Sequence, residues 1–163
     1  METTRESRQG DLTRRVEDFR AAYEARDIDR MLELFADDAE YTAAPGTFQG
    51  KPAIRGFLEW DKGLSPTATI RDTGIKMLAS DRTVVWERQR ALTAEGAPYQ
   101  ENALTVIEFD DCGLIRNVRS YYDKLDVLDQ IASGLSGPTG WIMKRLTGYL
   151  VAQGKKGLDA PSA

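Results

Sequence analysis

The stretch that most constrains this chain is VVWERQRAL, Val84 to Leu92. Its β-branched and aromatic start favours an extended backbone, and in a strand alternate residues share a face. One face carries Val84, Trp86, Arg88, Arg90 and Leu92, and the other Val85, Glu87, Gln89 and Ala91. The first is apolar at both ends and doubly cationic in the middle. Turned inward, it places two guanidinium groups in an apolar enclosure, and buried cations need a counter-anion. Two sources of the anion stand open: an internal carboxylate, Asp61 or Glu101, or a ligand held in an anion clamp. In a third reading, with the register shifted by one residue, both arginines lie on a solvated face.

Composition narrows the chemistry. The chain has 163 residues and 41% hydrophobic content, which fits one domain with a true core. A net charge of −4 gives no electrostatic reason to expect nucleic acid or an anionic membrane. No apolar run in the first twenty residues suggests a signal peptide, and no stretch reaches the length of a membrane span. The single Cys112 excludes an internal disulfide and fits a reducing, cytoplasmic setting. There is no histidine, so Ser-His-Asp and Cys-His catalysis and most zinc sites are ruled out. No metal or other cofactor is expected. Acid/base chemistry is left to carboxylates, tyrosine, lysine or water.

Along the chain, residues 1–10 are polar and expected to be disordered. Leu12, Val16, Phe19 and Tyr23 follow helical spacing over 11–25. Asp27 can cap a second helix carrying Ile28, Met31, Leu32 and Phe35, ended by Asp37-Asp38. Glu40 to Thr42 reads as a short strand closed by Ala-Ala-Pro-Gly, and Gly50-Lys51-Pro52 opens a third helix with Ile54, Phe57, Leu58 and Asp61 on one face. Strands are predicted at 67–78, 82–93, 99–109 and 114–122, with turns at Ser80-Asp81, Glu95-Gly96 and Asp110 to Gly113. A helix over 124–133 follows. A last amphipathic helix carries Trp141, Ile142, Leu146, Tyr149 and Leu150, and is expected to pack on its own domain; Lys144, Arg145, Lys155 and Lys156 make weak membrane contact conceivable. The predicted class is α+β: three helices precede a meander of antiparallel strands and pack on one face of a curved sheet. The divisions are a domain over 11–133, a helical extension over 134–153 and a polar tail over 154–163.

AYEARDIDRMLELFADDAEY (22–41), FQGKPAIRGFL (48–58) and TVIEFDDCGLIRNVRSYYDKLDVLDQ (105–130), with the strand between, resemble the SnoaL-like branch of the nuclear-transport-factor-2-like superfamily. The likeness implies a cone-shaped pocket, used across the superfamily for many reactions and for plain binding. The catalytic aspartate of ketosteroid isomerases falls at Ala43, and the oxyanion-hole pair of those enzymes near Phe19 and Asn102. Limonene-epoxide-hydrolase-like enzymes share Tyr41 and Arg88, but their two aspartates fall at Arg90 and Ser120; SnoaL-type cyclases also place an aspartate at Ser120. Scytalone-dehydratase-like enzymes need histidines. The chain is therefore expected to be neither a limonene-type epoxide hydrolase nor a ketosteroid isomerase, because those positions carry no base.

The resemblance and the strand alternation together place Tyr41, Arg88, Arg90, Asn102, Ser120 and Tyr122 in the pocket, lined by Trp86, Phe19, Phe57, Leu58 and Val118, with Asp61 at its mouth. Glu101 then faces away. Arg88, Arg90, Tyr41 and Asp61 are the candidate catalytic set. Two readings follow. One is a cofactor-independent cyclase, isomerase or hydrolase acting on an apolar oxygenated molecule of polyketide or terpenoid type. The other is a non-catalytic binder of such a molecule, or a dimeric interaction protein with a vestigial pocket. A homodimer is expected through the outer sheet face, where Val85, Ala91, Ile115 and Tyr121 point outward.

Overall fold

The computed structural model describes residues 2–94, 97–135 and 137–155. The predicted Glu95-Gly96 turn and the chain beyond 155 lie outside them. Helices α1 (Glu2–Glu24), α2 (Ile28–Glu33) and α3 (Gly50–Leu64) surround one hairpin, β1 (Phe35–Ala43) and β2 (Gly46–Gln49). Then come β3 (Ala68–Ala79), β4 (Thr83–Ala94), β5 (Ala97–Phe109) and β6 (Ile115–Tyr122), followed by α4 (Lys124–Gly134) and α5 (Gly137–Lys155). The strand order is β2-β1-β6-β5-β4-β3, with β1 and β6 parallel and the other neighbours antiparallel. This is the α+β fold with a curved mixed sheet. Register breaks between Asp72 and Met77, Phe35 and Glu40, and Glu108 and Phe109 bend it, since an inserted residue sharpens local twist.

The core lies between the concave face and the first three helices. Leu12, Val16, Phe19 and Tyr23 of α1 meet Phe35, Tyr41, Ile107, Ile115 and Val118 there, all buried. Polar side chains of α1 also cover the free edge at β3. Glu24 accepts the Ile70 N–H at 2.7 Å, and Arg20 donates to the Ile70 carbonyl at 2.6 Å and to Asp72 at 3.0 Å. An edge strand with unpaired backbone groups invites pairing with another chain, and these bonds occupy it.

Several expectations are corrected. Helix α1 starts at Glu2 rather than residue 11; Arg, Glu and Gln are good helix formers, and extending a packed helix avoids the cost of nucleation. Asp27 caps α2 through the Arg30 N–H, but α2 ends at Glu33, and Phe35 opens β1. Asp37-Asp38 therefore sit inside β1 at its irregular segment, and the Pro45-Gly46 turn leads into a strand, β2, that the sequence reading omitted. Ile115 is buried rather than outward, because the register break beside Phe109 lets both Ile115 and Val118 face in. In α5 the apolar stripe is not packed. Gly140 and Thr147 are buried instead, while Trp141, Ile142, Leu146, Tyr149 and Leu150 are exposed. A Cβ at Gly140 would lie 2.5 Å from the Leu135 carbonyl oxygen, so close approach to the α4 end selects glycine there. Thr147 donates to Asp129 of α4 at 2.8 Å.

Candidate functional site in the cone

Strands β4 and β5 build the site. Their register pairs Trp86 with Thr105, Arg88 with Ala103 and Arg90 with Glu101. Alternation on β5 therefore turns Tyr99, Glu101, Ala103, Thr105, Ile107 and Phe109 inward, and all six are buried. Glu101 faces in. Asn102 faces out and accepts from Gln89 at 3.0 Å, so it leaves the candidate pocket set. The mismatch is one residue of register, which exchanges the two faces of a strand.

The buried polar groups form one chain. Arg90 donates to both Glu101 oxygens, Nε to Oε1 at 2.9 Å and Nη2 to Oε2 at 2.5 Å. Its Nη1 donates to the Tyr23 hydroxyl at 2.6 Å, and Tyr23 donates to Asp61 Oδ2 at 2.8 Å. Arg26 Nη1 donates to the same oxygen at 2.8 Å. Both bonds to Asp61 thus fall on Oδ2, leaving Oδ1 without a described donor. Arg26 also holds the Ser65 carbonyl through Nη2 and lies 4.6 Å from the Tyr23 ring centre. Its φ of 55° is left-handed, a region that disfavours non-glycine residues and collects at functional sites.

Arg88 is different. It is 3% exposed and stacks 4.6 Å from the Trp86 ring centre. Nη1 donates to Thr105 Oγ1, whose hydroxyl lies 3.1 Å from Ser120 Oγ. Its Nε, like that of Arg26, is buried without a partner, but only Arg88 of the three arginines has no carboxylate at ion-pair distance among the described residues. Burial first, and the like charge of Arg90 second, draw its pKa down to about 10. Trp86 in turn donates its indole N–H to Asp72 at 3.1 Å.

A cavity of about 60 Å3 opens at this cluster. Tyr41, Asp61, Arg90, Glu101, Ser120 and Tyr122 give it polar walls, and Ala43, Pro45, Phe57, Trp60, Leu64 and Val127 close it. Of the expected site residues, Tyr41, Arg90, Ser120, Tyr122, Phe57 and Asp61 reach the cavity. Arg88 lies behind Ser120. Trp86, Phe19, Leu58 and Val118 are buried core outside its wall. Sequence reasoning missed Tyr23, Arg26 and Thr105. The inward alternation of β5 could have shown Thr105; nothing in the sequence marks Arg26 as a left-handed residue aimed inward. Three guanidinium groups (Arg26, Arg88, Arg90) face two carboxylates (Asp61, Glu101), so the cluster carries 3 − 2 = +1. Among the described residues no group of three or more Cys, Asp or Glu side chains is placed to hold a metal ion.

Glu101→Gln would strip Arg90 of the one carboxylate that stands at ion-pair distance from it among the described residues, while keeping shape. Breaking one side of a buried pair costs about 3–5 kcal/mol, more than replacing both sides. Chemical denaturation should show that loss, with Glu101→Gln/Arg90→Met recovering part of it; additive single and double variants would contradict the coupling.

Alkaline pH should destabilise the chain. Burial raises the phenol pKa of Tyr23, Tyr41, Tyr99 and Tyr122, that of Tyr122 from 10.0 to about 12. A raised pKa gives stability that is full below the unfolded value and is lost as pH climbs through the folded one. For Tyr122 the window runs from 10.0 to about 12. Arg88 has the opposite sign, adding stability above about pH 10, but it is one group against four. Thermal melts from about pH 8 to pH 11, with tyrosinate absorbance followed alongside, should show Tm falling above pH 10 and these phenols ionising with unfolding.

The comparisons with known proteins agree with this architecture. No curated protein sequence matches the chain. An LEH-like epoxide hydrolase from M. tuberculosis superposes with a TM-score of 0.66 at 24% identity, over 77% of this chain and 92% of that one. A protein of ketosteroid isomerase-like fold from Catenulispora acidiphila, in complex with trimethylamine, gives 0.66 at 24% identity over 75% and 93%. A putative polyketide cyclase from Xanthomonas campestris gives 0.69 at 22% identity over 76% and 98%. At these identities the likeness shows the fold alone. Residues 16–118 match the SnoaL-like domain, which is most of the chain, and the protein belongs to that family.

Proposed function

We propose that the cone binds a small oxygenated molecule, oxygen first, and acts on it by cofactor-independent proton transfer of the cyclase or isomerase kind. The observation that carries this reading is the +1 excess of the buried cluster around an open cavity. Keeping an unneutralised guanidinium such as Arg88 in an apolar interior costs several kcal/mol even after relaxation, and an anionic or polarised ligand oxygen offsets that cost. In a low-dielectric site the same charge stabilises an enolate or oxyanion as it develops. Arg88 acts through the Thr105–Ser120 hydroxyl pair, Tyr41 and Tyr122 supply donors, and Asp61 Oδ1 is the proton acceptor. Oδ2 of the same carboxylate is fixed by Tyr23 and Arg26, which holds that acceptor in place. The second reading, a binder without turnover, draws on the double anchoring of Glu101, whose two oxygens are both occupied by Arg90.

Two measurements separate these readings. Thermal-shift screening of matched acids and methyl esters should favour acids in the wild type and lose that preference in Arg88→Met; equal shifts would refute the anion site. Deuterium uptake from D2O at the carbon next to the carbonyl of 2-tetralone, followed by NMR, should be accelerated by the wild type. Asp61→Asn should abolish the acceleration. Acid binding without uptake selects the binder.

The outer sheet face is proposed as a homodimer surface. Leu78, Leu104 and Tyr121 are exposed there beside Val85 and Val106, and large apolar patches mark association sites. Light scattering at micromolar concentration should give twice the 18.2 kDa chain mass, and Leu104→Glu with Tyr121→Glu should return the monomer.

A further inference from the structure

The polar cavity holds about 60 Å3, well below the roughly 300–1,000 Å3 of a site that takes a whole small molecule. It admits a ligand's head and little more. Its neighbour has the missing space. Pro45, Phe57 and Trp60 line the polar cavity and also a second, outer cavity of about 450 Å3, completed by Phe48, Ala53 and Gly56. None of these six side chains is charged. The rings run outward in series. The centres of Tyr41 and Phe57 are 5.0 Å apart, Phe57 and Phe48 stack at 4.6 Å with planes 17° apart, and Phe57 and Trp60 stack at 6.1 Å. Phe57 is 8% exposed and Trp60 52%, so the series begins inside the cone and ends at solvent.

Helix α3 carries both halves. Ala53, Gly56, Phe57 and Trp60 stand at helical spacing along one stripe, and Asp61 follows directly on the inner side. Gly56 is the informative position. It lies inside α3, where glycine destabilises a helix relative to alanine. Its backbone is not left-handed, and a Cβ added there would meet nothing within 4 Å. Neither conformation nor packing within the chain asks for glycine. The missing side chain leaves the groove floor open beside the stacked rings.

We infer that the outer groove is a subsite for the planar apolar part of the ligand: an aryl or fused-ring group joined by a short arm to the oxygenated head that the inner cavity holds. The inference rests on the proposed oxygen site. The ring lies over Phe48, Phe57 and Trp60, and an arm of one or two carbons passes Pro45 to bring its carboxylate or carbonyl towards Ser120 and Tyr41. A bulky three-dimensional skeleton would forfeit the stacking, so the site selects flat ligands over saturated ones.

The test uses 2-naphthylacetate, its saturated decalinyl analogue and acetate as probes, titrated calorimetrically into the full chain. Wild type should bind 2-naphthylacetate about tenfold or more tightly than either of the others. Gly56→Leu, and independently Ala53→Leu, fill the groove from exposed positions; each should lose about tenfold for 2-naphthylacetate, with Tm held or raised. Unchanged binding in both filled variants overturns the subsite, as does failure of the wild type to bind 2-naphthylacetate. Arg88→Met keeps the two proposals apart. If binding is lost in the filled variants but not in Arg88→Met, the subsite stands and the oxygen site fails; if it is lost only in Arg88→Met, the oxygen site stands and the subsite fails.

Discussion

The interaction on which the rest depends is the bidentate pair between Arg90 and Glu101 across β4 and β5. A sheet register can slip by one residue only if every side chain can change faces. Here a slip would leave one member of a buried charge pair inside with no partner, at a cost of about 3–5 kcal/mol. The pair also determines its neighbours. With Arg90 opposite Glu101, Thr105 faces in and receives Arg88, while Asn102 and Gln89 meet on the outside. Arginine suits this position because its planar fork matches a carboxylate with two bonds and still has a third nitrogen for Tyr23.

That third nitrogen extends the constraint from the sheet to the helices. Tyr23 comes from α1, Asp61 from α3, and Arg26 from the residue that ends α1 in a left-handed turn. The Arg26 N–H bonds Tyr23 O at 3.0 Å and the Asp27 N–H bonds Ala22 O at 3.0 Å, the helix-ending pattern in which glycine is usual. Arginine in that conformation is strained, yet it reaches Asp61, the Ser65 carbonyl and the Tyr23 ring at once. One hydrogen-bonded chain therefore ties β5, β4, α1 and α3 together behind the cavity. Groups held by such a chain lose little freedom when a ligand arrives, which is what a preformed site requires.

Most of the fold is legible in the sequence, because periodicity and resemblance agree on it: α1 by its Leu12-Val16-Phe19-Tyr23 spacing, and β4 by its double arginine between apolar ends. Two of the failures share a cause. Where a bulge changes parity, alternation stops reporting faces. Ile115 and Val118 both point in across such a break, and Phe35 starts a strand although it continues the apolar spacing of α2. Asn102 failed differently. Resemblance and alternation together set the β5 frame one residue off; Tyr99, Glu101, Ala103, Thr105, Ile107 and Phe109 spell the inward face once Glu101 is taken as the partner of a buried arginine. Arg26 was invisible because a residue's sign of φ at a helix end is decided by tertiary anchoring, not by local composition.

The source of the carboxylates also bears on the chemistry. In the related families named above, the aspartates fall on strand positions that carry Ala43, Arg90 and Ser120 in this chain. Asp61 comes from a helix, one residue beyond Trp60, and enters the cone from the side where the aromatic groove meets it. Glu101 comes from the sheet but has both oxygens committed to Arg90. On the proposed reading the proton acceptor, Asp61, lies on α3, and the excess guanidinium of Arg88 lies on the sheet side, behind Ser120. A ligand oxygen drawn towards Ser120 would present its neighbouring carbon to the α3 wall. The polarity of the site thus runs from helix to sheet, and chemistry proposed for it must move the proton toward α3 while negative charge gathers on the sheet side.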